Sequence, residues 1–529
     1  MKSHRLLTVF TAMILALAML FSLSSCSLEN EKNTEKGKEE ESEERNDEII
    51  AIETENFTIS KAQMSYYFYS MYQSTYNSLA QYGLDPKVYG LDQNTSLKKA
   101  QCTFDSSKTW FEYFMEFAMQ NVEEQLVLCE SAKAAGIKLD ASDYEEIDTT
   151  MESIAEIAKT EKISLKKYIQ KNYGKIVTED DIRGTLELEL LATKYLEAEI
   201  AKVDLSDEAL EAVYAENPID YDTVDYLIFT FDWEEIYTVL SGEDDPTVYD
   251  ETLKAEAESI AKEYAQKLAT TTGLEGFEKI IKDYYTNVLK MTESEAEDKL
   301  ANPTGSDPES DDLLSLIRPE SNDNHIVTNA HYKESDEQLS WMFSDDVKAG
   351  DSKIFTEVED HYHTSGDNHD DLANIYTVVL VTRERGLVED ISSVDVRHIL
   401  FSDEAEAKKV YEQWEKNGKN VEDFEKLALE HSEDPGSKFN GGLYTGVTEG
   451  QMVTEFNDWI FNKDRKQGDH GLIKTTYGWH IMYFEAGYAE WQATIKSDLL
   501  SEASQSALDA VKDKYLIVFH EDVINDIDA

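Results

Sequence analysis

Two distant segments of this chain repeat the same residues at the same spacing. Residues 341–351 (WMFSDDVKAGD) and 459–469 (WIFNKDRKQGD) share Trp, Phe, Asp, Lys, Gly and Asp in identical register. Upstream, VDYLIF at 224–229 matches VRHILF at 396–401. Self-similarity of this kind indicates that one structural unit occurs twice. We therefore predict two copies of a strand–helix–helix–strand domain, which span residues 222–386 and 394–486.

The two copies differ at residues that could carry chemistry. The second copy has His398 on its first strand and His480 on its last strand, where this alignment gives the first copy Tyr226 and Thr377. The first copy also has no counterpart of the Asn-Gly-Gly run at 440–442. We interpret the first copy as structural and the second as the candidate active domain.

An acidic insertion at about 291–338 occurs in the first copy alone. Dense carboxylates can bind calcium, but the insertion lacks the ligand spacing, the glycine and the terminal glutamate of an EF-hand loop. We therefore interpret it as a solvated loop.

The composition describes a foldable and strongly acidic chain. Of its 529 residues, 41% are hydrophobic and 11% aromatic, which is enough to build cores. Asp and Glu total 109 against 49 Lys and Arg, for a formal net charge of −60. This excess argues against nucleic acid as a partner and against binding to anionic lipid through a basic patch. Three cysteines rule out a disulfide-stapled scaffold and a four-cysteine zinc site.

The N-terminus is typical of an export signal. Lys2 and Arg5 precede an apolar run at 6–23, and small residues then lead to Cys26. The alternative is a transmembrane anchor, because the run approaches the length of a span. The LSSC sequence that ends at Cys26 resembles a bacterial lipobox, which implies signal residues 1–25 and lipidation of Cys26. Residues 26–49 contain few apolar side chains and are predicted to form a disordered acidic tether.

A helical module is predicted over residues 50–221. Apolar residues recur at steps of three and four between Ser107 and Ala135, with Gly136 at the predicted end, and Ser60 occupies an N-cap position before an aromatic helix. The aromatic stripe at 66–72 has two interpretations: ordinary core packing, or a surface that holds unfolded chains. Whether Cys102 and Cys129 form a disulfide is left open.

Several motifs of the second copy resemble the parvulin peptidyl-prolyl isomerase domain. They are, in family order, VRHIL at 396–400, HSED at 431–434, NGG at 440–442, GQMVTEF at 450–456 and TTYGWH at 475–480. The surrounding order resembles the PrsA/SurA-type extracytoplasmic foldases. The resemblance implies an α+β chain in which a helical chaperone-like module is split in sequence around two parvulin-like domains. Each domain is a small antiparallel sheet with helices, the first is degenerate, and a C-terminal helix within 487–529 returns to the module.

The resemblance also implies site residues. His398 and His480 match the paired histidines, Asp434 falls where the family has Cys or Asp, and Thr475 matches a hydroxyl that bonds the pair. The apolar residues of the implied proline pocket are Met452, Phe456 and Leu443. No cofactor or metal is implied, because rotation about an Xaa-Pro bond makes and breaks no covalent bond.

Two other catalytic arrangements are disfavoured. Ser432, His431 and Asp434 adjoin one another in one loop and so cannot converge as a nucleophilic triad. His361, His363 and His369 fit no strong metal-binding motif. The loop at 402–407 is acidic, which predicts no preference for phosphorylated substrates.

Three functions remain at this point. The first is a lipid-anchored foldase on the extracytoplasmic face of the membrane that isomerises Xaa-Pro bonds in unfolded exported proteins. The second is a non-catalytic holdase that uses the parvulin-like domains as binding platforms. The third is an adhesin or solute-binding lipoprotein, which explains the lipobox but not the repeat.

Overall fold

The computed structural model describes residues 49–91, 95–242, 249–301, 326–360 and 372–528. Several features predicted above lie outside the described residues: the signal segment, Cys26, nearly all of the tether, the middle of the insertion (302–325) and the histidines His361, His363 and His369. The chain divides into two compact units. Among the described residues, the first unit combines those up to Leu205 with Ser393–Gly487 and those from Lys496 onward, and the second combines those of Ser206–Ser392 with Tyr488–Ile495.

Five helices form most of the N-terminal part of the first unit. They are α1 (Lys61–Gln81), α2 (Trp110–Ala135), α3 (Ala141–Thr160), α4 (Leu165–Tyr173) and α5 (Glu179–Ile200). Ser60 caps α1 as predicted, because its hydroxyl accepts the Gln63 N–H while the Gln63 side chain accepts the Ser60 N–H. Gly136, at a φ of 77°, ends α2 as predicted, whereas α2 begins at Trp110 after a Thr109 cap rather than at Ser107.

The aromatic stripe of α1 packs mainly into the core of the first unit. Tyr67, Phe68 and Tyr72 are buried and share one apolar cluster with Phe111 and Phe114 of α2. The structure therefore favours the core-packing interpretation of the stripe.

The C-terminus returns to the N-terminal part of the first unit. Strand β1 (Ile50–Glu53) lies between β2 (Thr58–Ser60) and β11 (Val518–Phe519), with Ile52 opposite Phe519. Two helices flank β11 along the chain, α15 (Glu490–Asp509) and α16 (Glu521–Asn525). The helical module is therefore split in sequence around the two copies of the repeat, as predicted.

The second unit contains the first copy of the repeat. Its helices are α6 (Asp207–Glu216), α7 (Trp233–Ser241), α8 (Glu251–Leu268), α9 (Gly273–Asp283), α10 (Glu293–Ala301) and α11 (Glu337–Met342). Its strands are β3 (Thr223–Phe231), β4 (Ile326–His331), β5 (Ser352–Asp360) and β6 (Leu372–Gly386). Helix α6, predicted to belong to the N-terminal module, lies in this unit instead, where the Tyr214 hydroxyl donates to Asp222 and its ring contacts Trp491.

The second copy is built in the same way. Its strands are β7 (Ile391–Phe401), β8 (Leu443–Thr448), β9 (His470–Lys474) and β10 (Trp479–Ala489), and its helices are α12 (Glu404–Lys416), α13 (Val421–His431) and α14 (Thr454–Ile460). The strand orders β4-β3-β6-β5 and β8-β7-β10-β9 are identical once each copy is numbered from its own first strand. Within the described residues each copy thus has four strands, two more than the sequence predicted.

The repeated Lys-x-Gly-Asp segment forms the same turn in both copies. The Lys348 N–H donates to the Asp351 carboxylate at 2.8 Å, and the Lys466 N–H donates to the Asp469 carboxylate at 3.0 Å. The carbonyl of each aspartate then accepts a backbone N–H from the last strand, that of Val381 or that of Phe484. The shared residues are therefore explained by a shared turn that leads into the third strand and is hydrogen-bonded to the fourth.

The register of the first strands corrects the sequence alignment by two residues. The Asp225 carboxylate accepts the Asn329 N–H at 2.8 Å, and the Asp395 carboxylate accepts the Gly446 N–H at the same distance. Asp225 therefore corresponds to Asp395, and a register shift follows Val224 and Val394 alike.

Position 398 of the second copy consequently corresponds to Ile228 in the first. The prediction that Tyr226 occupies this place is wrong. Thr377 does correspond to His480, because it lies opposite Phe355 in the way that His480 lies opposite Ile473.

The described parts of the acidic insertion are not a solvated loop. Glu293–Ala301 is helical, with Lys282 Nζ 2.7 Å from Glu293 and 2.8 Å from Glu297. Ile326–His331 forms the edge strand β4, which buries Val327 and Ala330 against β3. The sequence did not predict this strand, because the residues before it are strongly acidic and the whole segment was interpreted as a loop.

Both described cysteines are free and buried. Cys129 Sγ contacts the Leu188 carbonyl at 3.2 Å, and Cys102 Sγ accepts the Asp105 N–H at 3.4 Å. Burial raises the pKa of Cys129 to about 12, which makes it an inert thiol. Within the ranges that the structure describes, no helix has the length and apolar character needed to span a bilayer.

Candidate active site

His398 and His480 meet in the interior of the second copy. They lie on the neighbouring strands β7 and β10, are 3% and 4% exposed, and place their Nδ1 atoms 3.0 Å apart. The rings are nearly parallel, with centroids 5.2 Å apart. Phe456 from α14 packs edge-on against both rings.

Each outer ring nitrogen also has a partner. His398 Nε2 lies 2.9 Å from Asp434 Oδ2, and His480 Nε2 lies 2.8 Å from Thr475 Oγ1. The structure thus joins the four polar residues expected from the sequence in one hydrogen-bonded network. All four imidazole nitrogens are used within it.

The Asp434 carboxylate determines which group donates at one end of this network. Burial would raise the pKa of Asp434, but the hydrogen bond and charge of His398, with hydrogen bonds from Ser437 and Tyr444, hold it well below its usual range. An ionised carboxylate only accepts, so His398 donates through Nε2. One proton lies between His398 Nδ1 and His480 Nδ1, and the Thr475 hydroxyl pairs with His480 Nε2. The Tyr477 N–H donates in turn to Thr475 Oγ1 at 3.1 Å.

Two members of the network were not identified from the sequence as site residues. Ser437, which is 1% exposed, lies 3.0 Å from His398 Nε2 and donates to Asp434. The Tyr444 hydroxyl donates to Asp434 Oδ2 at 3.0 Å. The Pro-Gly turn after Asp434 is the sequence signal that could have indicated the return of Ser437.

The apolar residues are arranged differently from the prediction. Met452 and Phe456 belong to one apolar cluster, but Met452 precedes α14, which begins at Thr454. Leu443 lies opposite Arg397, whereas Tyr444 lies opposite Val396. Because side chains alternate along a strand, Tyr444 shares the face of His398 and Leu443 does not. The strand register therefore places Tyr444, and not the predicted Leu443, beside His398.

The disfavoured triad does not form. Ser432 Oγ accepts the backbone N–H groups of Leu400 and Asp434, and the nearest acidic partner of His431 is Glu430 at 3.6 Å. Within the described ranges, no group of three or more His, Cys, Asp or Glu residues is arranged to hold a metal ion.

Five of the site residues are replaced by other residues in the first copy. By the corrected register and the repeated Trp segment, Ile228 replaces His398, Thr377 replaces His480, and Val327 replaces Tyr444. By the same alignment, Glu334 and Gln338 stand where the second copy has Met452 and Phe456. The first copy therefore keeps the sheet and has lost the network and its apolar floor.

The pH dependence of the network can be predicted from His480. Burial, together with the neighbouring His398, lowers the pKa of His480 from 6.5 to about 4. The unfolded chain therefore binds more protons than the folded chain between about pH 6.5 and pH 4. The His480 contribution to stability is complete above pH 6.5 and is lost as the pH falls to about 4, by about 3 kcal/mol.

Ring ¹⁵N NMR of the chain, with the signal assigned through His480→Gln, measures this midpoint. His480→Gln is also expected to flatten the pH dependence of unfolding over the same window. A midpoint near 6.5 would contradict the buried, neutral imidazole.

The fold and the site define a parvulin-type domain. Residues 379–486 match the family described as the PPIC-type PPIase domain, that is, a peptidyl-prolyl isomerase domain of the parvulin class. The chain is similar to foldase protein PrsA 3 of Bacillus anthracis, with 46% identity over 87 residues that cover 16% of this chain and 29% of that protein. It is 34% identical over 122 residues to the chaperone SurA of Pseudomonas putida, covering 21% and 27%. The predicted resemblance to PrsA/SurA-type foldases is confirmed.

Similarity extends to solved structures. The crystal structure of the peptidylprolyl isomerase PrsA from Bacillus anthracis is 25% identical over 24% of this chain and 61% of that chain, with a TM-score of 0.18. The sequence matches cover less than a third of the length of PrsA 3 and of SurA.

Proposed function

We propose that this protein is an extracytoplasmic foldase whose residues 394–486 isomerise Xaa-Pro bonds in client proteins. The observation that carries the proposal is the buried network of His398, His480, Asp434 and Thr475 beside the apolar cluster of Phe456 and Met452. This arrangement combines a polar, pre-organised surface with apolar groups able to receive a proline ring.

The chemistry requires no nucleophile. Rotation about the Xaa-Pro bond faces a barrier of about 18–20 kcal/mol and takes tens of seconds or more without a catalyst. A catalyst must bind the twisted amide more tightly than either planar form. Because every ring nitrogen of His398 and His480 is used inside the network, neither imidazole is free to act as a base. Both histidines would instead keep the pocket rigid while Met452 and Phe456 hold the proline ring.

Several features support an extracytoplasmic location and protein clients. The lipobox-like sequence at Cys26 supports a lipid anchor, and the acidic segment after it supports a tether to the membrane. Relatives are named foldase and chaperone. In the N-terminal part of the first unit, Tyr82, Val88 and Phe104 are 81%, 77% and 49% exposed, and exposed apolar side chains suit the transient binding of unfolded chains. No cofactor and no nucleic acid enter this function.

Isomerisation of a panel of Xaa-Pro peptides by the chain tests the proposal. Removing His398 takes one hydrogen-bond partner from Asp434 and one from His480, so His398→Ala is expected to lower kcat/KM by about tenfold to a hundredfold. Met452→Ala is expected to lower it by about tenfold through lost apolar contact.

The first copy supplies the matched control. Gln338→Ala alters the position equivalent to Phe456 and is expected to leave kcat/KM unchanged. If the wild type is no more active than folded His398→Ala, the proposal that this domain is an isomerase is refuted. Suppression of client aggregation without isomerisation would then identify a holdase.

A further inference from the structure

Tyr444 occupies a central place in the site of the second copy. Its ring lies nearly parallel to the His398 imidazole, with centroids 5.3 Å apart and 21° between the planes. The same ring packs against the apolar cluster that contains Phe456 and Met452. Tyr444 therefore contacts the polar network and the apolar floor together.

The hydroxyl of Tyr444 reaches the carboxylate that orients His398. It donates to Asp434 Oδ2 at 3.0 Å, the oxygen that also accepts from His398 and Ser437. Hydrogen bonds to an ionised acceptor are about twice as strong as those between neutral groups. Burial and the charge of Asp434 raise the pKa of Tyr444, so the phenol remains a neutral donor at physiological pH.

The loop after Asp434 leaves room for this hydroxyl. A Cβ at Gly436 would lie 2.6 Å from the Tyr444 hydroxyl oxygen and no closer than 3.6 Å to any other atom outside the adjoining residues. Gly436 does not adopt a left-handed backbone conformation. An alanine at this position would therefore clash only with the Tyr444 hydroxyl. Because it has no Cβ, Gly436 leaves the space that the Tyr444 hydroxyl occupies.

We propose that Tyr444 is a positioning residue of the isomerase site. Its hydroxyl fixes Asp434 and, through Asp434, the His398 ring, while its own ring walls the proline pocket. This inference rests on the proposed function, because it assigns a role within the same reaction. In the first copy, where the network is absent, the equivalent residue is Val327.

Four forms of the full chain test the proposal: the wild type, Tyr444→Phe, Gly436→Ala and the double variant. Tyr444→Phe keeps the ring and loses the hydroxyl, so kcat for Xaa-Pro peptides is expected to fall about tenfold, equivalent to about 1.4 kcal/mol, while KM changes less than twofold. Gly436→Ala is expected to have the same effect, because its methyl group displaces the hydroxyl. The double variant is expected to be no slower than either single variant. Tyr444→Leu, which also removes the ring, is expected to raise KM in addition.

The kinetic outcomes separate a positioning role from a general loss of structure. Additive effects of Tyr444→Phe and Gly436→Ala would overturn the proposal, since the two changes would then act independently. Wild-type kcat in Tyr444→Phe would overturn it as well.

Ring ¹⁵N NMR of His398 gives a readout that does not depend on activity. Tyr444→Phe and Gly436→Ala are expected to shift the His398 nitrogen resonances in the same way. If the wild type does not isomerise peptides, the proposed function fails, but the NMR comparison still decides whether Tyr444 positions His398. Unchanged His398 resonances in both variants would overturn the positioning role even in an active enzyme.

Discussion

Replacing Gly442 with alanine is expected to destabilise the second copy by about 2–5 kcal/mol and to abolish the proposed isomerase activity. Gly442 has a φ of 77°, and a Cβ there would lie 2.3 Å from the His398 carbonyl oxygen. The His398 N–H also donates to the Gly442 carbonyl at 2.8 Å. Because the clashing atom belongs to the backbone, the clash can be relieved only if the strand that carries His398 moves.

Gly450 provides the control for this substitution. It has a φ of 82°, but no atom outside the adjoining residues lies within 4 Å of the place that an added methyl group would take, so Gly450→Ala meets only the backbone penalty of about 1–2 kcal/mol. Hydrogen exchange of peptides from β7 and β10, measured by mass spectrometry on the full chain, reports the local stability of both variants. Equal loss of protection in the two variants would show that the contact with His398 does not matter.

Phe456→Ala is expected to have the second large effect. Phe456 is 3% exposed and packs edge-on against both imidazoles, so its removal leaves a cavity at the floor of the site. Large-to-small changes of this kind cost about 3–5 kcal/mol of stability. Loss of the contact with the proline ring, worth about 2 kcal/mol, is expected to lower kcat/KM by roughly thirtyfold in the molecules that remain folded.

The measurement is peptide isomerisation together with hydrogen exchange, so that lost activity is separated from lost structure. Phe456→Leu is the conservative companion and is expected to recover most of the stability and part of the activity. Full activity in a folded Phe456→Ala chain would show that Phe456 does not contact the proline ring.

Much of the site could be predicted because its residues stand in recognisable motifs. His398, Asp434, Thr475 and His480 are drawn from three separate segments, and the structure joins them in one network. Helix boundaries near Ser60 and Gly136 were equally predictable, since capping depends on local chemistry.

The wall of the pocket required the tertiary structure. Leu443 and Tyr444 are adjacent on β8, and only the pairing of Tyr444 with Val396 shows which side chain faces His398. A shift of one residue reverses the face of every side chain in a strand, so sequence resemblance that is uncertain by one residue cannot choose between the two.

The sequence by itself determined that one domain occurs twice and that the second copy alone carries paired histidines. Only the tertiary structure decided how the first strands correspond, through the equivalent bonds of Asp225 and Asp395 to β4 and β8. The physical reason is the period of the strand. A shift of two residues leaves the alternation of buried and exposed positions unchanged, so apolar residues match nearly as well in the wrong register. Hydrogen bonds to fixed backbone partners carry no such ambiguity, and they place Ile228 where the second copy has His398.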